Sequence, residues 1–289
     1  MTEFQYTWEQ AVEWLRNQPD QAELVRACYF DDPLENAAER YRQSAEWEAM
    51  RELLPPPPGE AIDLGAGRGI SSYALAKDGW RVTAVEPDPS PLVGAGAIRT
   101  LAEHSSLPIT VAQMEGESLP ASDGFFTVAI ARQALHHARS LDSFVEEAAR
   151  VLKPGGVFLA TREHVVDRPE DMRAFLDSHA LHRLYGGENA FSLEQYRAAI
   201  ASAGLVMSRE FGPLESVINY FPATMDNLRE NVHHRILLKL GRPGKRLAQL
   251  ADRATGDALS RMALAYISKR DRTPGRLFTF LAQKPDGSR

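Results

Sequence analysis

Cysteine is almost missing from this chain. Cys28 is the only one in 289 residues, which excludes an internal disulfide and any zinc site built on several thiolates. Long apolar runs are missing too; none approaches the roughly 18 residues that a bilayer-spanning helix needs. Met1-Thr2-Glu3-Phe4-Gln5 carries neither a basic start nor an apolar stretch, so no secretory leader is expected. There is no glycine period, and at 44% hydrophobic the chain is too apolar to stay disordered. Basic residues are scarce through the first 240 positions, which hold 22 Lys+Arg against 35 Asp+Glu; residues 241–289 reverse the balance with 11 against 4. An acidic body argues against bulk binding to nucleic acid, whose affinity rests on neutralising phosphates. Together these deficits predict a cytoplasmic protein with no nucleic-acid partner and no membrane insertion, long enough to bury a full core.

Four stretches are then visible. Residues 1–54 read as helical: Trp8, Val12 and Leu15 recur on one face, and a second amphipathic run passes through Tyr41, Ala45 and Met50. This segment is expected either to close over a cleft as a lid or to pack Trp8, Tyr29 and Tyr41 onto the core. The proline tract Pro55-Pro56-Pro57-Pro58-Gly59 ends it, because proline removes an amide donor and clashes with the preceding turn. In residues 60–221, strand-like runs at 61–64, 81–85, 109–111, 125–130, 157–160 and 205–207 alternate with helical ones. The clearest helix is 141–152, stopped by Lys153-Pro154-Gly155-Gly156; another is expected from Ser192 to Ala203. Repeated strand–helix units imply a parallel sheet covered on both faces. Residues 222–271 read as a helical insertion, with Leu228, Val232, Ile236 and Leu240 in register and His233-His234 at the surface. That insertion would cover the cleft or offer a homodimer surface. Residues 272–289 hold a closing strand and a tail.

The chemistry gathers at strand ends. Asp63-Leu64-Gly65-Ala66-Gly67-Arg68-Gly69 follows the first strand, and glycines there let the backbone turn tightly and approach a ligand. The spacing is G-x-G-x-G, with Ile70 where a dinucleotide fold would place its third glycine. Asp63 would repel a pyrophosphate but suits an ammonium group. Glu86, followed by Pro87, stands 21 positions after Gly65 at the next strand's end, where a carboxylate can accept from both ribose hydroxyls. A ligand with an amine, a ribose and no phosphate satisfies both acids. S-adenosylmethionine is such a ligand.

On these residues the chain resembles the class I S-adenosylmethionine-dependent methyltransferases. Residues 61–69 are similar to their first motif, and Val85-Glu86-Pro87-Asp88 to their ribose-binding strand end. Glu115-Gly116-Glu117-Ser118-Leu119-Pro120 is similar to the segment that contacts adenine. Leu135-His136-His137 follows the fourth strand, and residues 149–156 look like the turn before the fifth. The resemblance covers residues 60–163 in order, and it makes 60–221 the S-adenosylmethionine-binding core. It implies an α/β, Rossmann-like three-layer sandwich with a mostly parallel seven-stranded sheet, whose last strand, residues 276–283, runs antiparallel. It also implies S-adenosylmethionine as cofactor, S-adenosylhomocysteine as product, and cofactor contacts from Asp63, Gly65, Ala66, Gly67, Glu86, Pro87, Glu115 and Gly116. Arg132-Gln133, at the fourth strand's end, should lie beside the methionine part. Two residues depart from the family pattern: Met114 stands where many relatives have glycine, and Thr127 where an acid often follows Phe.

Methyl transfer from a sulfonium releases a neutral thioether, so the leaving group needs no acid. The protein must align the reactants, exclude water and, for a hydroxyl acceptor, take a proton. His136 and His137 lie just past the fourth strand, with Glu163 and His164 just past the fifth. Neighbouring strand ends bring these groups round one cleft, where Glu163 can orient an imidazole. A His-His followed by an acid after the next strand is similar to methyltransferases that act on sugar hydroxyls. Residues 162–166 and 185–189 look like segments of methyltransferases associated with surface-polysaccharide synthesis. The implied function is methylation of a small-molecule or glycan acceptor, by preference O-methylation of a sugar or glycan precursor. N- or C-methylation of another metabolite is the alternative. A nucleic-acid methyltransferase is disfavoured by the acidic body and by the lack of an Asp-Pro-Pro-Tyr-like or Pro-Cys segment. The glycine spacing disfavours a nicotinamide-dependent oxidoreductase. No metal is expected: His179 and His182 share a helix face at i, i+3, but no H-E-x-x-H signature accompanies them. Cys28 is expected as a small buried apolar residue.

Overall fold

A computed structural model describes residues 6–119, 121–179 and 181–287. Met1-Thr2-Glu3-Phe4-Gln5, read above for a leader, and Pro120, within the adenine segment, lie outside the described residues.

Seven strands form one sheet: β1 (Glu60–Leu64), β2 (Arg81–Val85), β3 (Ile109–Ala112), β4 (Phe126–Arg132), β5 (Leu152–Val165), β6 (Val206–Phe211) and β7 (Arg276–Gln283). Their order is β3-β2-β1-β4-β5-β7-β6. The first five run parallel, and β7 is antiparallel to both of its neighbours, as the resemblance implied. The chain winds outward in both directions from β1, so the loops after β1 and β4 part and leave a crevice at the strands' carboxyl ends. Register decides what lines it. Leu64 is level with Val85 on one side and Ala131 on the other, so Gly65, Glu86 and Arg132 emerge together.

Helices α1 (Trp8–Arg16), α2 (Ala22–Ala27), α3 (Leu34–Arg42) and α4 (Ala45–Arg51) precede the sheet; α5 (Ile70–Lys77), α6 (Ala95–Ser105) and α7 (Leu141–Val151) connect its strands. Then follow α8 (Pro169–Ser178), α9 (His182–Tyr185), α10 (Leu193–Ser202), α11 (Val217–Tyr220), α12 (Met225–Thr255) and α13 (Ala258–Ser268). Side chains alternate across the sheet, and each face has its own core. Ile62 and Leu64 of β1 pack with Phe144 and Val145 of α7 and Tyr196 of α10. Ala61 points the other way, into Tyr41, Trp47, Met50 and Leu75 of α3, α4 and α5. The result is the expected three-layer sandwich.

Some expectations fail locally. The run through Tyr41, Ala45 and Met50 is two helices, because Ser44 caps α4 by accepting from the Trp47 amide at 3.1 Å, and Ala45 is exposed. Residues 153–156, read as a turn, belong to β5; Gly155 (φ 73°) bends the strand there. In α12, Leu228 and Val232 are buried but Leu240 is 69% exposed, because Gly241 (φ 68°) and Pro243 kink the helix at that point. His233 is not a surface residue: it is buried, with Nε2 2.7 Å from Asp252 Oδ2, while His234 is exposed. No helix among the described residues is long and apolar enough to cross a membrane.

Candidate active site

Two adjoining cavities open at the crevice, of about 410 Å³ and 290 Å³, and share Trp8, Gly65, Gly67, Gln133 and His137 in their walls. The smaller is built from the glycine loop, the end of β2 and the segment 115–117. Gly65 and Ala66 both donate their amides to Val85 O, at 2.9 and 3.0 Å, which folds the loop back over β2. Gly65 has φ 69°, and a Cβ there would sit 2.6 Å from Ala134 Cβ, so only glycine fits. The Gly67 amide donates to Glu86 Oε2 at 2.7 Å, and the Asp88 amide to Oε1 at 3.0 Å. Burial pushes Glu86 up to about 7 despite those two amides. Opposite, a Cβ on Gly116 would fall 2.3 Å from the Phe144 ring; the bare backbone lies flat against that ring. Glu115 stands at the rim, paired with Arg139 at 2.8 Å.

Asp63, Arg132, His136 and His164 line the larger cavity. Burial pushes Asp63 up to about 6, although Ser72 Oγ donates to its Oδ2 at 2.6 Å. Arg132 holds the fully buried Glu46 in two bonds of 2.6 and 3.1 Å, and Arg162 stands 3.9 Å from the same carboxylate. Two guanidinium groups thus share one carboxylate in the cavity wall, leaving one positive charge in excess. Arg162 donates through one terminal nitrogen to the carbonyls of Ile218, Asn219 and Phe221, while its buried Nε has no partner.

The histidines sit on a single turn of 3-10 helix, Leu135–His137, directly after β4. Beneath it β5 bulges: between Ala160 and Glu163 it spends one residue more than β7 opposite, with Arg162 at φ 60°. The bulge delivers the Glu163 carboxylate under the turn. There Oε1 accepts from the amides of Ala134 and Leu135, at 3.1 and 3.2 Å, and Oε2 from that of His136 at 3.1 Å. His136 Nδ1 lies 2.8 Å from Oε2. Burial pushes Glu163 up to about 7 against those amides, and burial holds His136 well below its ordinary 6.5. With Glu163 ionised, a neutral ring donates Nδ1–H to it and presents Nε2 bare to the cavity. His164, lowered to about 4 by burial, turns its Nδ1 to Gly275 O at 2.8 Å. Gln133, Arg162 and Tyr29, all cavity residues, have positive φ; backbone strain of this kind collects at functional sites.

The structure thus gathers Asp63, Gly65, Ala66, Gly67, Arg132, Gln133, His136, His137 and His164 round the larger cavity, and Glu86, Pro87, Glu115 and Gly116 round the smaller. Glu163 lines neither and acts only through the turn above it. The N-terminal helices divide their work: Trp8 and Tyr29 face the cavities, whereas Tyr41 is core. Cys28 is half-buried and lines the larger cavity, not the apolar interior. The α12–α13 hairpin contributes to neither cavity. His179 and His182 are not on one helix; the first follows α8 and the second starts α9. Glu188, Arg162 and Arg68 were not singled out as site residues from the sequence. Each nonetheless stood in a run that was read: Arg68 in the glycine motif 63–69, Arg162 in 162–166 and Glu188 in the polar run 185–189.

Neither Asp63 nor Glu86 pairs with a Lys or Arg within ion-pair distance among the described residues, and an added Cβ on Gly67 would meet nothing within 4 Å. Two buried acids beside an open backbone bend fit a cationic nucleoside free of phosphate. Residues 62–160 match the family described as a methyltransferase domain. A ubiquinone biosynthesis O-methyltransferase of Methylobacterium sp. is 29% identical over 200 residues, covering 67% of this chain and 78% of that protein. An uncharacterised methyltransferase of Mycobacterium bovis is 36% identical over 121 residues, covering 42% of this chain and 46%, about half, of that protein. In three dimensions, geranyl diphosphate C-methyltransferase from Streptomyces coelicolor, solved with Mg2+, a substrate analogue and S-adenosylhomocysteine, matches with a TM-score of 0.58. That match has 16% identity and covers 96% of this chain and 97% of that one, a likeness of fold. Residues 62–160 thus carry a methyltransferase domain, and the strand order around it is similar to that of the class I S-adenosylmethionine-dependent enzymes.

Proposed function

We propose that the protein methylates a hydroxyl oxygen of a small acceptor held in the larger cavity, with S-adenosylmethionine as donor. The observation that carries this reading is the buried His136 ring in the cavity wall, held from behind with Nδ1 2.8 Å from Glu163 Oε2. Glu86 would meet the ribose hydroxyls, Gly116 and Phe144 would flank the base, and Asp63 with the Gly65–Gly67 bend would take the ammonium end. The excess positive charge of Arg132, Glu46 and Arg162 suits a carboxylate in the same cavity. When bound, the cofactor supplies an electrophilic methyl group on a cationic sulfur. His136 takes the acceptor's proton at Nε2, and Glu163 stabilises the imidazolium so formed. Trp8, Leu24, Phe30 and Leu181 exclude water on the acceptor side.

That apolar wall suits an acceptor with an aromatic or aliphatic body and one reactive hydroxyl. The Methylobacterium relative, named for O-methylation, supports the choice of atom; no relative supports a sugar or glycan. C-methylation is the second reading, because the solved methyltransferase with the same fold is a C-methyltransferase. The deciding experiment screens phenols, hydroxylated lipids and nucleotide sugars for S-adenosylhomocysteine release and identifies the methylated atom by NMR. On the acceptor so found, His136→Ala should lower kcat by roughly 10²–10⁴ while leaving the cofactor Kd nearly unchanged. Full turnover in that variant, or a methyl group on carbon or nitrogen, would sink the proposal.

A further inference from the structure

The acceptor side of the larger cavity contains a group of side chains that proton transfer alone does not require. One ring nitrogen each of His136 and His164 and a carboxylate oxygen of Glu188 lie within 4.8 Å of one another. His136 Nε2 is 3.7 Å from Glu188 Oε2. We infer that these three residues form a binding site for a divalent transition-metal ion of the zinc class.

Three features support this. The first is how each donor is held from behind. His136 gives Nδ1–H to Glu163 at 2.8 Å, and His164 gives Nδ1–H to the Gly275 carbonyl at 2.8 Å, since a carbonyl only accepts. Both rings therefore present a bare Nε2. Glu188 is anchored in the same way, accepting from Tyr185 Oη at 2.5 Å on Oε1, which leaves Oε2 toward the rings. A carboxylate or carbonyl behind each imidazole is the outer arrangement that fixes tautomer and direction in metal sites. The second is charge. The Glu188 side chain is only 6% exposed, and its ion-pair-distance neighbours among the described residues are His136, His137 and His179, with no Lys or Arg. A buried carboxylate needs a counter-charge, and a divalent ion at this position would provide it. The third is donor chemistry. Two imidazoles and one carboxylate suit zinc, cobalt or nickel, whereas magnesium and calcium prefer all-oxygen sets. His137 stands beside the three donors and outside their set, with Nδ1 3.1 Å from Gly187 O and Nε2 3.9 Å from Glu188 Oε2, so the fourth position of a tetrahedral ion is left open. Tetrahedral zinc with bonds of 2.0–2.1 Å sets its donors roughly 3.3 Å apart, so closure needs side-chain shifts of about an ångström.

The consequence for catalysis rests on the O-methylation reading. An ion there would occupy Nε2 of His136, which could then no longer take the acceptor's proton; the ion would instead acidify a hydroxyl bound at its open position, and that proton would pass to bulk water.

The test uses the full chain stripped with a chelator, without acceptor or cofactor, so its outcome is independent of any methylation result. One equivalent of Co2+ should give the visible bands of a low-coordinate nitrogen–oxygen site, and Zn2+ should displace it. His164→Ala and Glu188→Gln should each weaken Zn2+ binding roughly a hundredfold or more, and Tyr185→Phe by roughly tenfold. His234→Ala, at an exposed position outside the cluster, should change nothing. Far-UV circular dichroism and cofactor titration confirm that each variant is folded. No stoichiometric Co2+ or Zn2+ binding by the wild type would overturn the inference, as would equal affinity in folded His164→Ala and Glu188→Gln. Loss of the O-methylation reading would leave the binding result standing.

Discussion

Glu86 shows how one side chain can hold a loop and face a cavity together. Its carboxylate accepts from Gly67 and Asp88 amides, so the geometry that closes the glycine bend also aims the acid into the cavity. Burial raises Glu86 to about 7 and Asp63 to about 6. A carboxylate whose value is raised is charged only above that value. Both acids therefore lose their attraction for a cationic ligand as pH falls, first Glu86 near 7 and then Asp63 near 6. Isothermal titration should show the S-adenosylmethionine Kd rising as pH drops from 8 to 5.5. Glu86→Gln should weaken binding roughly ten- to a hundredfold at pH 8 and flatten the upper part of that dependence. A Kd indifferent to pH and to both acids would refute the assignment. A structural counterpart is Glu46, which the sequence does not advertise: it keeps two buried arginines paired. Glu46→Ala should cost about 3–5 kcal/mol in denaturant unfolding, because it strands guanidinium charge out of water. A loss of under 1 kcal/mol would mean solvent reaches those groups.

Among the elements, the glycine bend, the 3-10 turn after β4 and the bulge in β5 form one interlocked unit. The bend touches the turn at Gly65 and Ala134, and the turn hangs from Glu163 on the bulge. Gly65→Ala would press a Cβ into Ala134 from a left-handed backbone. It should destabilise the fold by about 1–3 kcal/mol and impair cofactor affinity and turnover together. An effect on affinity alone would show that bend and turn move independently. The strands were legible because each is a short apolar run punctuated by glycine or proline; that the last runs antiparallel came from the resemblance, and the order of the seven is seen only in the folded sheet. The bulge was not: an extra residue at Arg162 is visible only against the pairing of β7. The same limit hid Glu188. Its run 185–189 could be read as polar, but its place beside His136 depends on that run meeting the turn after β4, some fifty residues away, where His137 Nδ1 lies 3.1 Å from Gly187 O. Where the periodicity failed, at Leu240, the cause was present in the sequence as Gly241 and Pro243, a break that a face-counting argument overrides.

Across the whole molecule, the resemblance over residues 60–163 anticipated the seven-stranded sheet, and the residues it named for the cofactor line the two cavities at the crevice. It did not anticipate what surrounds the acceptor. That wall is assembled from both sides of the core: α1 and α2 from before it, and 179–188 from after β5. The Tyr6 amide donates to Leu184 O at 3.2 Å, so the two outlying pieces are tied to each other as well as to the sheet. Of the three aromatics read in the N-terminal helices, Trp8 lines the cavities, Tyr41 is core, and Tyr29 does both.

Trp8 has a practical consequence. It lies 4.7 Å from the Tyr185 ring and 5.7 Å from that of Phe30, and it is the one tryptophan of four that lines both cavities. The chain therefore carries its own optical reporter, set where donor and recipient would meet. Intrinsic emission should shift when either compound is titrated in, and the signal should vanish in Trp8→Phe while binding by calorimetry persists. A response that survives this replacement would locate the reporting indole elsewhere; otherwise stopped-flow fluorescence could reveal which partner arrives first, with no label attached.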